Sequence, residues 1–400
     1  MAFQPPERDS YDVVIVGGAI MGSAAAWFLT DMGFDGSVLV VDRDMTFAHS
    51  ATAHSTSCIR QQFSTELNVR ISQFGAEFIK DLRGFMGGDA RVPDIGIRSF
   101  GYMYLADSPV LADDLRARHA VQVAAGAGTR LLTPAEIAEA YPFYALDDIL
   151  LGSHNPCDEG YYDSMAVFEW LRRQAQERGV TYLENEVVEM SVSAGRVQSV
   201  SLASGDRVAC GTVLNATGPR AAHVAAMAGL DLPVEPRKRY SWVFKAEKPL
   251  QQDLPLTIDP SGLHVRENGG GTYQAGGHIG PDPAVDFDDF EMDHALWEDW
   301  AWPVLATRIP QFEAIRLTHG WAGHYEMNVV DYNAILGPHP ELRNFLLMNG
   351  FSGHGLQQAP AMGRGLAEWL CHGAYRSLDL SEFRFDRLMD AQPKVERAVI

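Results

Sequence analysis

One short stretch near the start of the chain limits the fold more than any other. Tyr11–Val16 is a Val-rich apolar run typical of a buried strand, and the glycine-containing turn Gly17–Gly22 follows it directly. Ser23–Asp31 then has the composition of a helix, and a second apolar run, Val38–Val41, ends at Asp42. This order of strand, turn, helix, strand and acid predicts a Rossmann-type βαβ unit.

The residues of this unit suit the binding of a dinucleotide. Gly17 permits a sharp turn, Gly22 lets the helix pack closely on the sheet, and the N–H groups at the helix start face a pyrophosphate. Asp42 can accept hydrogen bonds from the adenosine ribose. The middle glycine of the usual motif is replaced by Ala19, and Gly18 beside it supplies flexibility. A plain tight turn is the alternative, but the strand, the helix and the acid together favour the dinucleotide.

The same stretch has a second interpretation, as a membrane span or a signal peptide, because Val13–Thr30 contains no charged residue. Three glycines and a turn in the middle argue against that interpretation. The preceding residues, Glu7-Arg8-Asp9, are not a basic leader. We therefore expect no membrane span, no targeting segment and a cytoplasmic location.

Composition narrows the class of protein further. The 400 residues suggest two intertwined domains, and a hydrophobic fraction of 46% is ample for large cores. The net charge of −20 disfavours nucleic acids and anionic membrane surfaces as partners. The four cysteines lie far apart and the histidines form no HxxxH pattern, so we expect free thiols in a reducing compartment and no metal.

Two later turns share the small residues of the first. The strand predicted over Thr212–Asn215 leads into Ala216-Thr217-Gly218, and Gly350–Leu356 leads into a helix predicted over Gln358–Leu370. Such turns let the backbone approach a ligand closely, and a helix start stabilises negative charge. Tight strand–helix junctions that need positive φ angles are the alternative for both turns.

Two further segments carry expectations about the site. The polar run His49–Arg60 follows the ribose-binding strand, so it is placed to run along the cofactor. Asp282–Asp299 is acidic with interleaved Phe and Trp, which predicts a solvated helix packed through its aromatic residues or, alternatively, a lid over a site.

Together these features resemble the D-amino-acid-oxidase/sarcosine-oxidase superfamily of FAD-dependent amine oxidoreductases, and the resemblance covers nearly the whole chain. Trp321-Ala322-Gly323 with Asp331 adds to it. Longer strings are similar to the branch that contains the mitochondrial FAD-dependent oxidoreductase assisting complex I assembly. Those strings are Arg60–Ser64, Asp158–Gly160, Gly337–Pro340 and Gly353–Pro360.

The resemblance implies an α/β fold in which a mixed β-sheet substrate domain is inserted into a Rossmann-type FAD-binding domain. The FAD-binding domain is expected to comprise residues 1–90, 151–225 and 325–400. The substrate domain is expected to comprise residues 91–150 and 226–324.

The resemblance also implies a reaction. FAD would take a hydride from the carbon next to the nitrogen of an amine or amino acid, secondary and N-methyl amines included, and the imine product would hydrolyse. The partners are then a small-molecule amine and an electron acceptor, O₂ or another carrier. A flavin-containing assembly or scaffold protein with little turnover is the alternative that the branch suggests. A flavin hydroxylase that shares only the FAD fold is a third.

The motifs and the resemblance assign cofactor-binding residues to the first glycine turn, the ribose acid, the polar run, one strand start and the two later turns. These residues are Gly17, Gly18, Ala19, Ile20, Met21, Gly22, Asp42, Arg43, Ala51, Thr52, His54, Ser57, Val187, Ala216, Thr217, Gly218, Gly353, His354, Gly355 and Leu356.

A second set of residues is expected to face the substrate. Arg60 is the first candidate to hold a substrate carboxylate or the flavin edge, because its planar fork suits either, although a structural role is its alternative. Tyr102, Tyr273, His324 and Tyr325 are candidate wall residues, and ordinary packing is the alternative for each.

Two glutamines depart from the pattern of sarcosine oxidases. Those enzymes carry a Lys that helps bind the substrate carboxylate, and the matching position here is Gln357. They carry another Lys above the flavin that promotes reaction with O₂, and the position that matches loosely is Gln274. The sequence therefore leaves open whether small N-methyl amino acids are substrates and whether O₂ is the electron acceptor.

The flavin could also be attached covalently through a histidine. Thr52-Ala53-His54 resembles the Thr-Trp-His stretch of dimethylglycine and sarcosine dehydrogenases, in which the His is bonded to the flavin 8α-methyl. His324 falls near the flavin-linking Cys of monomeric sarcosine oxidases. The alternative for either histidine is a hydrogen bond beside the flavin.

Overall fold

The computed structural model describes residues 3–389 and 393–400 as a chain of alternating strands and helices. The strands are β1 (Ser10–Val16), β2 (Val38–Asp42), β3 (Cys58–Ile59), β4 (Tyr102–Ala106), β5 (Arg130–Leu132), β6 (Leu151–Asn155), β7 (Gly160–Tyr161), β8 (Thr181–Glu184), β9 (Val187–Ser193), β10 (Arg196–Leu202), β11 (Arg207–Asn215), β12 (Val234–Ala246), β13 (Leu256–Ile258), β14 (His264–Gly269), β15 (Thr272–Gly277), β16 (Ile315–Asn328), β17 (Ile335–Pro338) and β18 (Phe345–Asn349).

Helices connect fewer than half of the successive strands in the described ranges. They are α1 (Ile20–Asp31), α2 (Glu66–Lys80), α3 (Leu82–Phe85), α4 (Pro109–Ala124), α5 (Pro134–Ala140), α6 (Ser164–Glu177), α7 (Ala221–Ala226), α8 (Trp302–Arg308), α9 (Gly355–His372) and α10 (Asp386–Met389). Within the described ranges, no helix combines the length and the apolar character that crossing a membrane requires.

The first sheet contains the predicted βαβ unit at its centre. Its order is β17-β18-β11-β1-β2-β8, with β10 and β9 continuing from β11. The pairs from β18 to β8 are parallel, while β17 and the β9–β10 hairpin are antiparallel. Val13 and Ile15 join the core under α1 and α9, whereas Val14 and Val16 join the core under α7. Both faces of β1 are buried, as a central parallel strand requires.

The second sheet is mixed and, like the first, has eight strands. Its order is β16-β12-β15-β14-β13-β4-β6-β5, and only the β13–β4 pair is parallel. One face packs on α8 and the neighbouring π-helical turn Trp297–Ala301 through Trp242, Phe244 and Tyr273. The opposite face is turned toward the carboxyl ends of the first sheet's strands and is called the near face below. The predicted α/β fold, with a mixed sheet inserted into a Rossmann-type sheet, is confirmed.

Two strands of the second sheet extend across the predicted segment boundaries. The strand β6 falls in the segment predicted as 151–225, yet it is hydrogen-bonded to β4 and β5 of the second sheet. The strand β16 continues past residue 324 to Asn328 while it stays paired with β12. Backbone hydrogen bonds therefore place both stretches with the second sheet, and the division into domains stays a prediction.

The predicted helix over Asp282–Asp299 is wrong for most of its length. Residues 281–293 form an extended loop, and helical structure begins only near Ala295. Three aspartates explain this: the carboxylates of Asp286, Asp289 and Asp293 each accept a backbone N–H from two residues further on. Such local turns compete with helix formation. This loop, residues 281–293, is called the strap below.

Candidate active site

A cavity of about 670 Å³ lies between the carboxyl ends of the first sheet's strands and the near face of the second sheet. Its walls come from the turns after β1 and β11, the end of β2, the start of α9, the strands β12, β14 and β16, and the strap. Ligands of open parallel sheets bind at this edge.

The turn after β1 is shaped by two glycines. Gly17 has φ +98°, and a Cβ at this position would overlap the carbonyl oxygen of Ala216. A Cβ on Gly22 would overlap the carbonyl oxygen of Gly17, so α1 can approach the turn only without a side chain there. The N-cap of α1, Ala19, offers no side-chain acceptor to the first-turn N–H groups, and it lines the cavity. This open helix start fits a pyrophosphate.

Asp42 lies at the end of β2, where its carboxylate faces the same cavity. Its Oδ2 accepts the N–H of Gly18 at 2.7 Å, and its Oδ1 accepts the N–H of Asp44 at 3.1 Å. Burial raises the pKa of Asp42, while these two backbone donors oppose that rise. The backbone thus fixes the carboxylate where a ribose hydroxyl would donate to it.

The two later turns complete the cavity wall. Asn215 Oδ1 accepts hydrogen bonds from the backbone N–H of Thr217 at 3.2 Å and from the hydroxyl of Thr217 at 2.7 Å. These two bonds fix the turn after β11. The helix α9 starts at Gly355, and its N-cap, His354, likewise provides no side-chain acceptor. Gly353, Gly355 and Leu356 line the cavity. A second open helix start is therefore available to a negatively charged group.

The structure brings most of the predicted cofactor residues to this one cavity. Those that line it are Gly17, Ala19, Ile20, Met21, Asp42, Arg43, Ala51, Thr52, His54, Val187, Ala216, Thr217, Gly218, Gly353, Gly355 and Leu356. Gly18 and Gly22 shape the turn without lining the cavity. Unpartnered buried atoms in the wall, His54 Nδ1 and Arg220 Nη1, leave hydrogen-bonding capacity for a bound group. These residues fit a dinucleotide.

Two of the predicted cofactor residues lie elsewhere. Ser57 has φ +55° and its Oγ is hydrogen-bonded to Ser164 Oγ at 2.7 Å, so Ser55 and Thr56 line the cavity in its place. His354 turns its ring edge-on to Phe63, with the ring centroids 5.0 Å apart, and lines a smaller neighbouring cavity. A positive φ at Ser57 and the packing against Phe63 direct these side chains away from the large cavity.

The strap crosses one side of the large cavity. Asp288 forms ion pairs with Arg43 and with Arg220, and Phe287 lies under the Arg220 guanidinium at 4.3 Å from the ring centroid. Phe290 packs between His54 and His324, at centroid distances of 5.6 and 4.5 Å. The strap therefore lies where the alternative prediction for this segment, a lid over a site, would place it.

A smaller cavity of about 40 Å³ adjoins the large one. Both cavities share lining residues, namely Ser55, Thr56, His264, Tyr325, Gly353 and Leu356. Among the predicted substrate-facing residues, Arg60 and Tyr102 line the small cavity, His324 lines the large one, and Tyr325 lines both. The small cavity is therefore the candidate place for a substrate.

Arg60 does not present a free guanidinium to that place. Its Nη1 donates to the carbonyl oxygen of Gln62 at 2.8 Å, and its Nη2 donates to the carbonyl oxygen of Ala398. The group is 2% exposed and lies 4.3 Å from the ring centroid of Phe63. Its backbone N–H donates to Gln357 Oε1 at 2.7 Å. The geometry favours the structural alternative over a grip on a substrate carboxylate.

Tyr273 lines neither cavity, so the structure favours ordinary packing, the alternative role for this residue. Successive residues of β15 point to opposite faces, and Tyr273 lies on the far face against Phe244 and Phe312. Its hydroxyl accepts the N–H of Leu250 at 2.8 Å. Gln274 lies on the near face, where its Oε1 accepts from Arg266 Nη2 at 2.7 Å.

Glu326 is a buried acid of β16 that also lines the large cavity. Its Oε2 accepts the backbone N–H of Gly350 at 2.9 Å. Burial raises the pKa of Glu326 from its ordinary 4.5 to about 8, against the smaller effect of that one donor. At neutral pH this carboxyl is therefore predominantly protonated in the folded protein.

This carboxyl predicts a pH dependence of stability. Between about pH 4.5 and 8 the folded state holds a proton that the unfolded state releases, so the free energy of unfolding falls as pH rises. Glu326→Gln should remove this pH dependence. As the pH rises from 5 to 8, the free energy of unfolding of the variant should therefore increase relative to that of the wild type by more than about 1 kcal/mol. Thermal unfolding at several pH values measures it. Glu139→Gln, at an exposed position, is the control and should track the wild type at every pH.

Several site residues were missed by the reasoning from sequence. Arg220 follows the second glycine turn, and Phe287 and Phe290 belong to the acidic segment with interleaved aromatics, so a local signal existed for these three. Arg239 and His264 carried none, because only the pairing of strands in space shows which face of the second sheet they occupy.

Comparisons with known proteins agree with this geometry. A family model described as DAO, FAD dependent oxidoreductase, matches residues 12–369. FAD-dependent oxidoreductase domain-containing protein 1 of Xenopus laevis is 35% identical over 431 residues, covering 99% of this chain and 86% of that protein. Human mitochondrial sarcosine dehydrogenase is 24% identical, covering 92% of this chain but 40% of that longer protein.

Solved structures show the same fold. The crystal structure of L-proline dehydrogenase from P. horikoshii has a TM-score of 0.83 at 24% identity, covering 96% of this chain and 99% of that one. Glycine oxidase from Geobacillus kaustophilus has a TM-score of 0.78 at 21% identity, covering 94% and 98% of the two chains. The predicted resemblance and cofactor are confirmed, while the cytoplasmic location stays a prediction. The chain belongs to the DAO family of FAD-dependent oxidoreductases, and FAD is its cofactor.

Proposed function

We propose that this oxidoreductase oxidises the C–N bond of an amine or amino acid and releases an imine that hydrolyses. One observation carries the proposal: the large cavity, which fits FAD, shares lining residues with a small cavity on the near face of the second sheet. A substrate in the small cavity would lie directly against whatever part of the cofactor reaches Tyr325 and Leu356.

The chain's own residues would hold the cofactor at both ends. The turn Gly17–Gly22 and Asp42 would hold the pyrophosphate and the ribose, and the start of α9 would face the electron-rich edge of the ring system. Bound FAD supplies the redox chemistry by accepting a hydride from the carbon next to nitrogen. The protein supplies orientation, and the apolar side chains of Leu256 and Leu356 help to exclude water.

Relatives with this fold support the same class of reaction. The similar solved structures include a proline dehydrogenase and a glycine oxidase, and the similar sequences include a sarcosine dehydrogenase. Each of those names describes an enzyme that acts on an amino acid. The electron acceptor, O₂ or another carrier, and the cytoplasmic location are kept as parts of the proposal.

Anaerobic mixing of the holoprotein with a panel of amines and amino acids tests the proposal. At least one compound should bleach the visible absorbance of the flavin and yield the carbonyl product of imine hydrolysis in a one-to-one ratio with flavin reduced. Bleaching by no member of a broad panel would favour the assembly or scaffold alternative. Bleaching by NAD(P)H alone would favour a hydroxylase.

The attachment of the flavin is a separate prediction, since the two candidate histidines differ in their contacts. His324 Nε2 donates to the carbonyl oxygen of Asp289 at 2.9 Å. His54 Nδ1 is buried without a partner, and burial lowers the pKa of both imidazoles, which keeps them neutral and nucleophilic. If a covalent bond forms, His54 is therefore the expected residue.

Acid precipitation followed by measurement of flavin fluorescence in the pellet decides this point. Flavin in the pellet of the wild type and of His324→Ala, but not of His54→Ala, would place the bond at His54. All of the flavin in the supernatant would show that His54 only contacts the cofactor. Loss of the flavin from the pellet of His324→Ala alone would place the bond at His324 instead.

A further inference from the structure

One buried histidine on the near face has no assigned partner. His264, on β14, is 7% exposed and lines both the large and the small cavity. Neither of its ring nitrogens has a hydrogen-bond partner in the described structure. Buried polar atoms are rarely left unsatisfied, so an imidazole with two free nitrogens in a cavity wall indicates a ligand. Burial, with smaller contributions from the nearby Arg266 and Arg239, lowers the pKa of His264 to about 4.

The sheet makes room for this ring. Gly276 of β15 is paired with His264, and a Cβ at Gly276 would lie 2.7 Å from His264 Nε2. Any other residue at position 276 would displace the imidazole. The neutral ring therefore rests on the backbone of β15, at a residue that lines both cavities.

The arginines around the cavities already have carboxylate or carbonyl partners, although Arg220 Nη1 and Arg239 Nε in the wall of the large cavity have no hydrogen bond. Arg239 is 7% exposed and makes a bidentate ion pair with Asp282, at 2.8 and 2.9 Å. Arg60 donates through both terminal nitrogens to backbone carbonyls. Arg43 and Arg220 lie under the strap and pair with Asp288. Among the described residues, Arg60 is the one lysine or arginine that lines the small cavity, so a substrate carboxylate placed there would meet no free terminal guanidinium nitrogen, which is costly.

We propose that His264 accepts a hydrogen bond from the nitrogen of the substrate, and that the substrate is an amine without a free carboxylate next to that nitrogen. The proposal rests on the proposed function and narrows its substrate class. A neutral imidazole acceptor suits an amine or ammonium donor. The committed arginines disfavour the carboxylate of an amino acid.

Two matched sets of probes test the substrate class by binding to the holoprotein. The sets are pyrrolidine, prolinamide and proline, and N-methylethylamine, sarcosinamide and sarcosine. For a probe that leaves the flavin oxidised, perturbation of the flavin spectrum, with calorimetry as a second measure, gives the dissociation constant. For a probe that bleaches the flavin, the dependence of the anaerobic bleaching rate on probe concentration gives it. In each set the amine and the amide should bind at least tenfold more tightly than the amino acid.

Variants of His264 test the residue. His264→Phe should weaken binding of the amines and amides about tenfold or more, and His264→Asn, which keeps a polar acceptor, should recover part of that loss. His372→Asn, at an exposed position at the end of α9, should bind like the wild type. The flavin content of each variant shows whether its fold is intact.

Specific results would overturn the inference. Tighter binding of proline and sarcosine than of their amides would show that the site holds a carboxylate. Equal affinities of the wild type, His264→Phe and His264→Asn for the amines would show that His264 does not contact the substrate. A lack of binding by every probe would also contradict the proposed role of His264. Amines that bind as expected but never bleach the flavin would instead contradict the proposed function and leave the binding inference supported.

Discussion

Gly17→Ala should yield a folded protein that no longer retains FAD during purification, with a loss of affinity on the order of 100-fold or about 3 kcal/mol. The methyl group would overlap the carbonyl oxygen of Ala216, and the backbone at Gly17 has φ +98°. The turn and the strand end β11 must then separate, which moves both walls that face the pyrophosphate. The flavin-to-protein ratio and equilibrium binding of added FAD measure the effect.

Gly33→Ala is the matched control because Gly33 also has a positive φ, +74°, but nothing lies within 4 Å of its would-be Cβ. This change should cost only the general penalty of a left-handed residue, about 1 kcal/mol of stability, and should leave FAD bound. If Gly17→Ala kept its flavin as Gly33→Ala does, the close approach of the turn to Ala216 would not be needed for cofactor binding.

Asp331→Ala should lower the free energy of unfolding by about 3–5 kcal/mol, the cost of leaving a buried charge without its partner. Asp331 is fully buried, and Arg387 donates to it through Nε and Nη2 at 2.7 and 2.9 Å. Asp331 also accepts from Asn328 at 2.7 Å, so the end of β16 beside the site should loosen as well. Thermal and denaturant unfolding of the holoprotein measure the loss.

An exposed ion pair provides the comparison. Glu66 and Arg70 are four residues apart on α2, with side chains 59% and 49% exposed, and water screens their attraction. Glu66→Ala should leave the unfolding transition unchanged within error. A similar destabilisation by Glu66→Ala and Asp331→Ala would show that burial of the Asp331 pair is not what makes it important.

The parts of the fold that are local in sequence could be predicted before the structure was known. The unit from β1 to β2 carries its whole signal in about thirty consecutive residues, because the strand period, the turn glycines and the terminal acid all lie there. The start of α5 is similar: Thr133 and Glu136 form the reciprocal capping hydrogen bonds expected of an N-terminus.

The near face of the second sheet could not be predicted in the same way. A shift of one residue in the register of a strand exchanges its two faces. Such a shift in β15 would turn Tyr273 toward the site and Gln274 away from it. The side that faces the site is decided by neighbouring strands far away in sequence. His264 was missed and Tyr273 was misplaced for this one reason.

Long-range contacts account for the other errors. Arg60 has the residue type and position of a carboxylate ligand, but its partner is the carbonyl of Ala398, 338 residues away. The strap was predicted as a helix from its apolar spacing, whereas its aspartates form local turns and pair with Arg43, Arg220 and Arg239. The bond from Arg60 to Ala398 and the ion pairs of the strap have no signature in the surrounding residues, whereas the aspartate turns are local.

The proposed reaction is the transfer of a hydride from the carbon next to an amine nitrogen to FAD in this cavity. Its most direct test is anaerobic stopped-flow bleaching of the flavin by the best substrate, compared with the same compound deuterated at that carbon. We expect the deuterated substrate to bleach the flavin several-fold more slowly, because the C–H bond breaks in that step. Equal bleaching rates for the two compounds at saturating concentration, or bleaching without formation of the carbonyl product, would contradict hydride transfer from that carbon.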